Sequence, residues 1–127
     1  MRKLYLLLVL HFVGSVLAQT PENKLKMIQK KQEAIIEEFV TNCAQKYNYN
    51  YNMAEWQACL NEGLKKDSTV AYLWQQKAMP YFKAKKYEVG MQYIDKAVQY
   101  NPERWQSYRA FIKRSVKPIH RFFVDGM

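Results

Sequence analysis

A period of 34 residues constrains this 127-residue chain more than any other feature. When residues 71–104 are aligned without gaps on residues 37–70, small residues fall on small ones and large apolar residues fall on large ones. The matched pairs are Val40 with Trp74, Ala44 with Ala78, Tyr47 with Tyr81, Leu60 with Ile94, and Gly63 with Ala97. Because the register holds through both halves, the sequence predicts two copies of one structural unit.

The second copy resembles a unit of the tetratricopeptide-repeat (TPR) family. Aromatic, small and proline residues stand at that family's characteristic positions: Trp74, Ala78, Tyr81, Tyr87, Gly90, Ile94, Ala97 and Pro102. In such units, small residues let two antiparallel helices approach closely and large residues fill the remaining space. The resemblance implies an all-α fold, in which antiparallel helix hairpins stack into a short right-handed solenoid.

Both copies depart from the family pattern. In the first copy, Trp56 stands at a usually small position, which predicts that its two helices splay, and Ser68 replaces the closing proline. In the second copy, Lys77 replaces the usual leucine. Pro80 lies inside a predicted helix and has no N–H to offer the carbonyl of Gln76, which predicts a kink or a loosened turn.

The N-terminal residues are typical of a cleavable signal peptide. Arg2 and Lys3 precede an apolar run, and Val16-Leu17-Ala18 offers a cleavage site after Ala18. The run is shorter than the roughly 20 residues of a membrane span. We therefore expect an extracytoplasmic protein, either periplasmic or secreted. The predicted organisation is a signal peptide at 1–18, a helical extension at 19–36, a degenerate repeat at 37–70, a repeat at 71–104, and a partial third repeat or capping helix with a tail at 105–127.

Hydrophobic periodicity predicts the helices. One long helix is expected from Pro21 to Lys46, with Thr20 as its cap. Its apolar stripe is expected to be buried and comprises Leu25, Ile28, Gln32, Ile35, Ile36, Phe39, Val40 and Cys43. Further helices are predicted at about 53–66, 70–84, 87–100 and 103–115.

The two cysteines fall on facing helices of the first copy. In an oxidising compartment, a disulfide between Cys43 and Cys59 is the favoured interpretation. Two buried free thiols are one alternative. A small thiol- or disulfide-active protein that uses these two residues is another.

The TPR resemblance also implies an inner groove that binds a partner peptide or protein. The residues at groove-lining positions are Tyr72, Gln75, Met79, Phe82 and Lys83 in the second copy, and Thr41, Gln45 and Asn48 in the first. Aromatic and Met side chains give a large contact area to such a partner. The alternative for Met79 and Phe82 is that they pack inside, against the neighbouring unit.

Composition narrows the classes of function. The formal net charge is +9, but export argues against a nucleic-acid partner. The charge leaves open a weak attraction to anionic membrane surfaces. No paired carboxylates, phosphate-binding glycine loop or metal-ligand spacing occur, so we expect no enzyme, cofactor or metal site.

About two and a half repeats is fewer than is usual for stability. That number leaves open self-association, or a truncated or capping fragment of a larger scaffold.

Overall fold

The structure is a computed structural model that describes residues 20–116. The predicted signal peptide at 1–18 and the tail from 117 onward lie outside the described residues. Within residues 20–116, all regular secondary structure is helical and no strand is present. The predicted all-α class is therefore confirmed.

Five α-helices follow one another along the described chain. They are α1 (Pro21–Ile36), α2 (Met53–Lys66), α3 (Ala71–Lys83), α4 (Tyr87–Tyr100) and α5 (Pro102–Ser115). The bounds of α2 to α5 agree with the predicted ones to within one residue. Within the described residues, 20–33 belong to one compact unit and 34–116 belong to a second.

The first helix is shorter than predicted. α1 ends at Ile36, and a π-helical turn over Glu37–Thr41 and a 3₁₀ turn over Ala44–Lys46 follow it. The N–H of Asn42 closes the π turn by donating to the Glu37 carbonyl at 2.9 Å. Val, Thr and Asn in this stretch are weak helix formers. The prediction of one long helix to residue 46 is wrong.

The predicted apolar stripe is buried only at its C-terminal end. Leu25 and Ile28 are 62% and 51% exposed, and no residue of α1 is fully buried. Ile35 and Ile36 are half-buried against the first core described below. The expectation of a buried stripe from Leu25 onward is wrong, because its first residues are exposed and the positions from Gln32 to Ile36 are at most half-buried.

Two hydrophobic cores organise the second unit. The first core consists of Val40, Ala44, Trp56, Cys59, Leu60, Val70 and Leu73. The second core consists of Ala71, Ala78, Phe82, Ile94, Ala97, Trp105 and Ile112. Helix α3 contributes to both, since Leu73 belongs to the first core while Ala78 and Phe82 belong to the second.

A tight turn joins α3 to α4. The N–H of Lys86 donates to the Tyr81 carbonyl at 2.8 Å, and the N–H of Lys85 donates to the Phe82 carbonyl at 3.1 Å. These two bonds form a Schellman motif, whose penultimate residue takes the left-handed conformation. Lys85 does so, with a φ of 61°. The three-residue connection brings α4 back along α3 as an antiparallel neighbour.

Small residues are buried where α3 and α4 pack together. Ala78, Gly90 and Ala97 are all buried. A Cβ atom added at Gly90 would lie 2.6 Å from Cδ1 of Phe82, which is closer than real Cβ atoms approach other atoms. The close approach of the Phe82 ring to α4 therefore depends on glycine at this position.

The predicted repeat-core residues are buried or half-buried with two exceptions. The buried ones are Val40, Ala44, Leu60, Gly63, Ala78, Gly90, Ile94 and Ala97, and the half-buried ones are Trp74, Tyr81 and Tyr87. Tyr47 is 41% exposed because it follows the 3₁₀ turn and precedes a loop. Pro102 is exposed and serves as the first residue of α5, where Asn101 caps the helix by accepting the N–H of Arg104 at 3.2 Å.

Helix α3 continues through Pro80, and another helix supplies the donor that proline lacks. Proline at position 80 leaves the carbonyl of Gln76 without its usual N–H partner. The indole Nε1–H of Trp56 on α2 donates to this carbonyl at 3.2 Å, in a buried hydrogen bond. Trp56 thus supplies the hydrogen-bond donor that Pro80 lacks.

We expect Trp56→Phe to be less destabilising when Pro80 is replaced by alanine. Phenylalanine leaves the buried Gln76 carbonyl unpaired, at a cost of about 1–3 kcal/mol. In the Pro80→Ala background, the N–H of residue 80 can satisfy that carbonyl. Urea unfolding of the four proteins measures the coupling, which we expect to be about 1 kcal/mol. Equal effects of Trp56→Phe in both backgrounds would contradict this assignment.

We expect Gly90→Ala to destabilise the protein by about 1–3 kcal/mol through overpacking against Phe82. At an exposed helical position the same change stabilises by up to about 1 kcal/mol. Thermal unfolding distinguishes the two outcomes by sign. Phe82→Leu provides the control, because a smaller side chain in place of the ring should reduce the cost of the added methyl group.

Candidate functional site

The eight residues predicted to line a groove do not share one environment. Gln75 and Phe82 are buried, Tyr72 and Met79 are half-buried, and Thr41, Gln45, Asn48 and Lys83 are exposed. The buried pair is not available on an open surface. Phe82 packs against Gly90, and its ring centroid lies 6.4 Å from each of the rings of Tyr87 and Tyr108. Phe82 is therefore a core residue.

Three of the predicted residues remain accessible on one side of α3. Tyr72, Met79 and Lys83 are separated by seven and four positions, which places them in a row along a helix. Tyr72 contacts both cores and Met79 contacts the first. The guanidinium of Arg104 lies 5.9 Å from the centre of the Tyr72 ring. We call Tyr72, Met79 and Lys83 the α3 strip.

Of the other accessible predicted residues, Thr41 ends the π turn, Gln45 lies in the 3₁₀ turn, and Asn48 lies in the loop between that turn and α2. An open cleft of about 460 Å³ is lined there by Gln45, Lys46, Tyr47, Asn48, Tyr49, Asn50 and Trp56. We call it the loop cleft. Only Gln45 and Asn48 were predicted groove residues. For Tyr47, Tyr49 and Asn50 the sequence signal is the alternating Tyr-Asn run at 47–52.

A disulfide brackets the segment that forms the loop cleft. The structure joins Cys43 to Cys59, with their Cα atoms 5.8 Å apart. These are the only two cysteines of the chain. The bond ties the turn before the loop to the middle of α2, so it holds both ends of the segment that carries the lining residues.

A buried lysine lies between α2, α3 and α4. Lys77 is only 6% exposed. Its Nζ donates to Oε1 of Gln57 at 2.8 Å and to Oδ1 of Asn61 at 2.6 Å. The Nε2 of Gln57 donates in return to the Lys77 carbonyl at 3.3 Å. In the described part of the chain, no carboxylate forms an ion pair with this ammonium group.

Aromatic rings complete the surroundings of Lys77. Its Nζ lies 5.0 Å from the centre of the Tyr93 ring, where the negative ring face attracts a cation. Tyr93 stacks with Trp74 at 6.2 Å and contacts Tyr81 at 5.7 Å. Burial lowers the pKa of Lys77. Burial, and then the neighbouring Tyr93, raise the pKa of Tyr81. The amides and the ring therefore offset only part of the cost of removing the ammonium group from water.

The described residues form no group suited to hold a metal ion, since no three side chains of His, Cys, Asp or Glu come together between residues 20 and 116. None of the helices in this range is both long enough and apolar enough to cross a membrane. The arrangement therefore offers polar and aromatic contact surfaces, with one buried cation between the helices.

Comparisons of the chain with protein-family models, with curated proteins and with solved structures gave no match. The functional interpretation therefore depends on the residues and on the geometry described above.

We expect Lys77→Met to stabilise the protein by about 1 kcal/mol at neutral pH, because it removes a buried charge that has no carboxylate partner. Gln57 is half-buried and Asn61 is exposed, so water can replace the lost bonds. Lys83→Met, a change on the exposed end of α3, is the control and should alter the free energy of unfolding by less than about 0.5 kcal/mol.

The Lys77→Met variant also tests how the free energy of unfolding depends on pH. Because the pKa of Lys77 is lower in the folded state than its ordinary value of 10.5, the unfolded chain binds more protons between the two values. The stability of the wild-type protein relative to Lys77→Met should therefore rise with pH across that interval. The raised pKa of Tyr81 acts in the opposite direction, but it is present in both proteins. A pH-independent difference in stability would contradict the assignment.

Proposed function

We propose that this protein is an exported, non-catalytic binding module of the TPR type, which recognises a partner protein or peptide. The observation that carries this proposal is the packing of α3 against α4. Ala78, Gly90 and Ala97 are buried at the positions where TPR units need small residues, and the tight turn at Lys85 makes the two helices antiparallel neighbours.

The two cores support the repeat interpretation. The first core lies among the first copy and the start of α3, and the second lies among α3, α4 and α5. Each helix hairpin thus packs on the next through a shared helix, as repeat units do. In this proposal the partner binds to the α3 strip. Tyr72 and Met79 of that strip are half-buried and contact the first core, where the two copies meet.

Export is part of the same proposal. The signal peptide predicted at 1–18 supports it, and so does the disulfide between Cys43 and Cys59, since disulfides persist in oxidising compartments. The bond engages both thiols, and Cys59 is only 6% exposed, which limits the access of an external thiol to the disulfide. This favours binding over redox chemistry.

The α3 strip can be tested by partner capture. Purified protein is immobilised and exposed to an extracytoplasmic extract of the source cells, and the bound proteins are quantified by mass spectrometry. We expect Met79→Ala combined with Lys83→Glu to reduce capture of a specific partner by about tenfold, as loss of a contact centre does. Lys96→Glu, an equal charge reversal at an exposed position of α4, should leave capture unchanged.

Circular dichroism must show unchanged helicity for both variants. If the three proteins retain the same partners in equal amounts, the α3 strip is not the binding surface. If none of them retains any protein specifically, the proposed binding function is contradicted.

A further inference from the structure

We propose that the loop cleft is a binding site for a short saccharide, of one to three sugar rings. The proposal is independent of the α3 strip and of its protein partner. It rests on the side chains that line the cleft, on the hydrogen-bonding groups that the fold leaves available there, and on the rigidity of the loop.

The residues that line the cleft suit a ligand with many hydroxyl groups. Three residues with primary amides line the cleft, Gln45, Asn48 and Asn50, together with two that carry phenols, Tyr47 and Tyr49. An amide both donates and accepts, as a sugar hydroxyl does. The lining includes no carboxylate and no Leu, Ile, Val or Met side chain. Such aliphatic side chains are typical of grooves that bind the apolar face of a helical peptide, whereas amides and phenols match the hydroxyl groups of a saccharide.

The aromatic rings provide a surface for the apolar face of a sugar ring. Tyr49 and Trp56 meet edge to face, with their centroids 5.2 Å apart and their planes at 75°. This contact orients the Tyr49 ring against a buried tryptophan. Tyr47, at 41% exposure, is the most accessible ring of the lining. The electron-rich face of such a ring attracts the polarised C–H groups of a pyranose.

The amide groups of the cleft are largely available. Among the hydrogen bonds of the described residues, none engages the side-chain amides of Gln45 and Asn50. At Asn48, Oδ1 accepts the N–H of Asn50 at 2.9 Å, which leaves its NH₂ group for a ligand. Lys46 adds a cation that would favour a saccharide bearing a carboxylate or sulfate.

The loop is held in place before any ligand binds. The carbonyl of Asn48 accepts the N–H of Asn52 at 2.7 Å and the N–H of Tyr51 at 3.1 Å. The disulfide between Cys43 and Cys59 ties both ends of the segment. A preorganised site loses less conformational entropy on binding. The cleft volume of about 460 Å³ lies within the range of small-molecule sites, roughly 300–1,000 Å³.

The test is a titration of the full chain, with its disulfide intact, by maltotriose, cellotriose, chitotriose and trigalacturonate, each followed by NMR of the ¹⁵N-labelled protein. We expect at least one of them to shift the amide signals of residues 45–50 in a saturable way. Tyr47→Ala should weaken that binding by about tenfold, because it removes the stacking face. Tyr51→Ala is the matched control, since Tyr51 is 85% exposed but does not line the cleft.

Gln45→Ala is a second variant that leaves the aromatic rings in place, and it should weaken binding while changing the signals of the free protein only for residues near position 45. The proposal is overturned if no saccharide shifts these signals at about 10 mM, a concentration that detects even millimolar affinity. It is also overturned if Tyr47→Ala and Tyr51→Ala act equally, or if a proline-rich peptide binds the cleft and the saccharides do not. Protein capture through the α3 strip should be unaffected by Tyr47→Ala, so the two proposals can fail separately.

Discussion

The packing of α2 against α3 depends on a backbone carbonyl that proline leaves without a partner. Pro80 deprives Gln76 of its usual donor, and the indole of Trp56 supplies another one from the facing helix. One residue further along both helices, Gln57 donates to the carbonyl of Lys77. Hydrogen bonds are directional, whereas apolar contacts tolerate sliding. Two adjacent bonds of this kind therefore fix the position of α2 along α3.

That fixed position has consequences on both sides of the interface. It brings Gln57 and Asn61 to the ammonium group of Lys77, so a lysine at a usually apolar position finds two acceptors. It also places Trp56 beneath Tyr49, where the same tryptophan forms part of the wall of the loop cleft. Trp56, which satisfies a backbone carbonyl of α3, thus also supports the loop cleft, which a different segment of the chain forms.

The sequence predicted the helices from α2 to α5 because their signals are local. Asn101 and Pro102 mark a helix start, and the spacing of Ala78, Gly90 and Ala97 indicates close helix packing. The π turn was missed because weak helix formers leave the choice of turn to tertiary contacts.

The burial of Phe82 follows from its contacts with α4 and α5, which the groove assignment did not include. The partners of Lys77 could not be predicted, because they come from a helix sixteen to twenty residues away. The loop cleft was not predicted, because an alternating Tyr-Asn run is also typical of a plain turn.

Helix α3 forms a wall of both cores. In long repeat arrays, terminal units can unravel while the central ones stay folded, because each unit contacts only its neighbours. With only two cores, this protein has little of that freedom, since melting of either core removes apolar contacts of α3, on which the other core also depends. The region from Ala34 onward should consequently behave as one cooperative block, with a calorimetric enthalpy that equals the van't Hoff value.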